Sequence, residues 1–109
     1  MKITGPIVLR QGDVLLIRVD EIPADAAEVK SEGGTVVLAY GEVTGHAHAF
    51  YDNTYNVKLR AGGSGRYLEV LAPAALKHEE HSTVKVPAGK YLLPRQVEYT
   101  PAELRQVAD

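Results

Sequence analysis

"DVLLIRV", residues 13–19, alternates in a way that fits a strand: Leu15, Ile17 and Val19 fall on one face of a pleat, and Val14, Leu16 and Arg18 on the other. It follows a turn triplet, "QGD" at 11–13, and gives way to proline and aspartate in "DEIPAD". An apolar run this short, with turn residues at both ends, reads as a strand and not as a buried helix.

The same grammar recurs outward from it. "TVVLAY" (35–40), "RYLEVL" (66–71), "STVKV" (82–86) and "KYLLPRQVEY" (90–99) each read as a strand, punctuated by "EGG" at 32–34 and by "AGGSG" at 61–65, a hairpin tip or loop. Pro94 has no N–H to give a ladder, which predicts an edge position for the 90–99 run. "IPADAAEVK" (22–30) reads as a loop, being too short for a stable helix. In "TPAELRQVAD" (100–109), Thr100 stands as N-cap, Pro101 at the first helical position and Glu103 completes a capping box, which predicts one short C-terminal helix. The expected fold is therefore mainly β, a small antiparallel β-barrel or sandwich with that helix appended, and residues 1–109 are expected to form a single domain.

Composition narrows the function. The chain of 109 residues is 45% hydrophobic and 24% charged with a formal net charge of -2, an ordinary globular balance. Its lysines and arginines are scattered, so a nucleic-acid partner is not expected. No apolar stretch approaches the roughly 20 residues that span a bilayer, and the opening "MKITGPIVLRQGD" lacks a signal-peptide pattern, so a cytoplasmic setting without a membrane is expected. With no cysteine in the chain, a metal must be held by nitrogen and oxygen.

The four histidines fall into two short-spaced pairs, in "GEVTGHAHAF" (41–50) and "KHEEHS" (77–82). On a strand, His46 and His48 project from one face, as a chelating pair does. His78 and His81 are side by side only on a helical turn, which "PAALKHEEH" (73–81) permits, or across a bend at the start of the "STVKV" strand. Together they predict a site for a divalent transition metal, zinc first, with iron or nickel as alternatives. Four histidine ligands would close the site, whereas three would leave a position for water or a small-molecule substrate. Glu79 and Glu80 are the candidate catalytic bases, and Glu42 stands near as a further oxygen donor.

The segments "RQGDVLL", "GEVTGHAH", "HEEH" and "PAGKY...RQVEY" resemble those of small uncharacterised bacterial and phage-associated proteins, over Arg10 to Tyr99. The chain also has a fainter similarity to cupins, in which an HxH pair and a later histidine hold a metal and a "PxG" turn follows. His46 and His48 match that HxH, and "VPAGKY" (86–91) resembles the turn, but Leu92 stands where a cupin places its last histidine. The cupin resemblance implies a small β-barrel with a histidine-bound metal.

No serine lies in a nucleophile elbow and no phosphate loop is present. The tyrosines read as half-buried strand positions. "RQVEY" (95–99) offers an edge for pairing with a second copy, giving a homo-oligomer. A metal-free interaction or assembly module is the alternative to the metal site.

Overall fold

The computed structural model describes residues 3–40, 46–51 and 55–94, with the backbone alone for residues 3–7. Ten strands and no helix lie among them: β1 (Ile3–Gln11), β2 (Val14–Val19), β3 (Ala27–Glu28), β4 (Val36–Tyr40), β5 (Ala47–Phe50), β6 (Val57–Gly62), β7 (Gly65–Val70), β8 (Ala74–Leu76), β9 (Val84–Val86) and β10 (Gly89–Leu93). The helix expected over 100–109 lies outside the described residues.

All pairings are antiparallel. The larger sheet has the order β1-β2-β10-β7-β6-β3, and two hairpins, β4-β5 and β8-β9, stand apart from it. An antiparallel bridge between Ala49 and Lys77 joins those hairpins, each residue giving its N–H to the other's carbonyl at 3.0 and 2.9 Å. Joined in this way they form a second layer. Leu16 from the large sheet packs in one core with Leu38 of β4, Phe50 of β5 and Leu76 of β8, so the two layers face each other as in a sandwich. Among the described residues the sheet does not close into a barrel, since β1 and β3 are its edges.

The leading strand behaves largely as its alternation requires. Val14 and Leu16 turn into the core while Leu15 and Ile17 are half-buried, and Val19 is buried at the strand's far end. "AGGSG" is the tip of the β6–β7 hairpin, whose last pair is Gly62 with Gly65. Gly62 is needed there because a Cβ would come within 3.0 Å of the Ala26 Cα and the Asp25 carbonyl. Residues 22–30 are loop apart from the two residues of β3.

Two expectations need correction. The 90–99 run is not at an edge in its described part: β10 stops at Leu93, before Pro94, and lies between β2 and β7. Proline excludes itself from a ladder but places no limit on a strand that ends before it. Of the two arrangements open for His78 and His81, residues 73–81 form no helical turn; β8 is extended and the chain bends at residues 79–81, ahead of β9. Besides β3 and β8, the strands that escaped the apolar-run criterion include β6, whose "VKLRAG" carries two cations, and β1, whose register shifts between Ile3 and Val8 around Gly5 and Pro6.

Candidate metal centre

The bridge between Ala49 and Lys77 sets the register of the two histidine segments. Counting back along β5 and forward from Lys77, an antiparallel register sets His48 across from His78, Ala47 across from Glu79 and His46 across from Glu80. The contacts follow that order. The rings of His48 and His78 lie 4.3 Å apart between centroids. The Ala47 N–H donates to Glu79 Oε1 at 2.9 Å, a carboxylate taking the place of the next ladder carbonyl. His46 Nδ1 lies 3.5 Å from Glu80 Oε2. Past the bend, His81 returns to His78 with 4.7 Å between centroids and stacks on His48 at 5.9 Å. His46 meets His78 edge-on at 5.7 Å.

All four sequence-predicted histidines thus come to one cluster, and so do Glu79 and Glu80. Among the described residues, one donor atom each from His46, His78 and Glu79 lies within 4.8 Å of the others. That group mixes one member of each histidine pair with a carboxylate, whereas the spacing alone points to the four imidazoles. Glu42 lies outside the described residues.

The members differ in environment. His48 shares the inward face of β5 with Phe50 and is only 3% exposed. Its pKa is lowered, first by burial and then by the neighbouring His78 and His81, against the opposing pull of Asp13 and Glu79. Glu79 is at the surface, and the N–H bonds from Ala47 and from its own backbone hold its pKa below the usual carboxylate value, with His46 and His78 adding to this. His81 is exposed and lies over the β1–β2 turn. The Glu80 N–H donates to His78 Nδ1 at 3.0 Å.

One participant carries no signal of spacing. Gln11, at the end of β1, is 2% exposed, and its side chain meets His48 Nδ1 at 2.9 Å. The sequence hint was a polar residue between an apolar strand and a turn, which marks surface as often as it marks a buried hydrogen-bonding group.

The family model of a domain of unknown function, DUF8820, matches residues 10–96. The chain belongs to this family. The DUF8820 span takes in Gln11, the four histidines and both glutamates of the cluster. No curated protein and no solved structure matches the chain.

The rest of the surface offers less. Two cavities of about 250 and 230 Å³, the first walled by Glu28, Val29, Tyr55 and Lys58 and the second by Pro23, Arg60 and Lys90, have no histidine in their lining. Tyr67 and Tyr91 belong to the core, while Tyr40, Tyr51 and Tyr55 are exposed. No helix among the described residues is long and apolar enough to cross a membrane.

Proposed function

We propose that this protein binds a divalent transition metal between the two histidine segments, with His46, His78 and Glu79 as the first ligands and His48 and His81 at hand to complete the shell. The observation that carries this reading is the convergence of three donors, from segments about thirty residues apart in the chain, to within 4.8 Å. A tetrahedral ion with bonds of about 2.1 Å holds its ligand atoms roughly 3.4 Å apart, so side-chain movements on the order of an ångström suffice to close the shell.

Two imidazoles and a carboxylate leave coordination positions open, and zinc, iron and nickel all accept this donor set. With His48 drawn in, the shell is full and the ion ties β5 to the segment after β8. Without it, a position would stay open for water or a small oxygen-bearing ligand, and the chemistry a bound ion would supply there is a lowered water pKa or a polarised carbonyl. Glu79 is then occupied as a ligand, and Glu80, 3.5 Å from His46, is the carboxylate left to move a proton.

Metal on His78 has a local cost that makes the reading testable. Binding through Nδ1 takes the lone pair that accepts from the Glu80 N–H, and binding through Nε2 puts a proton on Nδ1, so either mode gives up that hydrogen bond. Zinc added to untagged, metal-stripped protein should bind at one per chain and shift the Glu80 amide resonance. His46→Ala and His78→Ala should each weaken uptake at least tenfold. Uptake that survives loss of all four histidines, or no uptake of zinc, iron or nickel, rejects the reading.

The exposed Tyr40, Tyr51 and Tyr55 favour a second reading, in which the protein is an interaction module that pairs with another copy through a sheet edge. It is distinguished by an oligomeric state that chelators leave unchanged.

A further inference from the structure

We infer that Gln11 is the positioning residue of the histidine cluster, fixing the tautomer of His48 and closing the base of the loop that carries His78 and His81. Its purpose rests on the metal reading above, while the hydrogen bonding itself does not.

The amide of Gln11 has a single workable orientation. Its Nε2 lies 2.8 Å from the carbonyl of Leu76 and 3.0 Å from that of Ser82. Both are acceptors, so the two N–H groups point at them; the amide turned over would set an oxygen against two oxygens. The carbonyl of Gln11 therefore faces His48 Nδ1, at 2.9 Å, and can only accept. His48 must donate there. The neutral form of an imidazole has one N–H, so with Nδ1 donating to Gln11 the lone pair is on Nε2.

Asp13 Oδ1 stands 3.6 Å from that Nε2 and would favour the opposite tautomer. It is the weaker influence, because 3.6 Å is beyond hydrogen-bond length and the Asp13 side chain is 77% exposed and solvated, whereas the Gln11 contact is short and buried. A histidine that donates through one nitrogen to a fixed acceptor and offers the other is the arrangement that orients a metal ligand.

The other half of the amide acts on the partner segment. Leu76 and Ser82 bracket residues 77–81, and one –NH2 group holds both carbonyls, which pins the two ends of the His78–His81 loop together. A single side chain from β1 thereby sets the ring of one histidine segment and the span of the other.

The test is the ring nitrogen spectrum of His48 in the full, metal-stripped chain at neutral pH, with zinc titrated into the same samples. The expected wild-type result is a protonated Nδ1 and an unprotonated Nε2. Gln11→Met should move His48 towards the Nε2–H form and weaken zinc binding 10- to 100-fold. A wild-type His48 protonated at Nε2, or a tautomer unchanged in Gln11→Met, overturns the inference. Should the methionine variant not fold, the wild-type tautomer still decides. A wild-type Nδ1–H form with no zinc uptake supports the role of Gln11 and removes the metal reading.

Discussion

Gly12 shows how closely the cluster is fitted to the β1–β2 turn. Its φ of 60° lies in the left-handed region, and a Cβ there would sit 2.7 Å from His81 Nε2. Gly12→Ala should therefore lose about 1–2 kcal/mol through backbone strain and also displace the His81 ring. Asparagine tolerates the left-handed region better, so Gly12→Asn should recover part of the stability while His81 stays displaced. Thermal melting reads the first effect and the ring resonances of His81 the second; a native His81 signal in both variants would mean that the ring does not rest on this glycine. Gln11, the next residue back, belongs to the same scale. Whether a glutamine before a turn is solvated or buried depends on what the rest of the chain brings over it, which is why spacing found the histidines and not the residue that orients one of them.

Among the elements, the Ala49–Lys77 bridge has a large consequence for its size, since among the described residues it is the backbone pairing that carries the register from β5 to the end of β8. Lys77→Pro removes the N–H that the buried Ala49 carbonyl accepts. The expected cost is about 1–3 kcal/mol, a fall in Tm on the order of 10 °C. Lys77→Ala keeps the N–H and loses only an exposed side chain, so it should melt close to wild type. Equal losses in the two variants would place the effect in the side chain and not in the bridge. Elements were legible where one face is buried and the flanks hold turn residues, as in β2, β4 and the hairpin tip between β6 and β7. They were not legible where charge interrupts the run, as Lys58 and Arg60 do in β6, or where short apolar residues suit helix and strand alike, as in "PAAL" (73–76). Tertiary pairing settled those cases. β8 is extended because β9 pairs with it along its length. The meeting of the two histidine pairs depends on the same long-range register, so the sequence supplied the donors but not their arrangement.

At the scale of the whole molecule, the cluster lies beside the core, and its ionisation is coupled to folding. The pKa of His48 is lower in the folded chain than the ordinary value of about 6.5. The unfolded chain then binds the proton more readily, so the stability His48 contributes is complete above about pH 6.5 and is lost as pH falls through its lower folded value. His78 and His81 reinforce this direction, and Asp13 and Glu79 oppose it. In chelator, the urea midpoint should fall between pH 7.5 and 5, and His48→Asn should flatten that slope. Identical slopes for the two proteins would show that His48 does not carry the acid sensitivity.

The order of the large sheet also bears on how the chain is made. β10 is the last described strand, yet it separates β2 from β7, so the sheet exists only as two fragments until Gly89–Leu93 has been synthesised. A nascent chain emerging from the ribosome can form its local hairpins early, but the strand that joins them follows all the other strands of the sheet in the chain. The donors of the histidine cluster are all present in the sequence by His81, yet the sheet that they pack beside is joined only by a later strand that contributes no ligand to it.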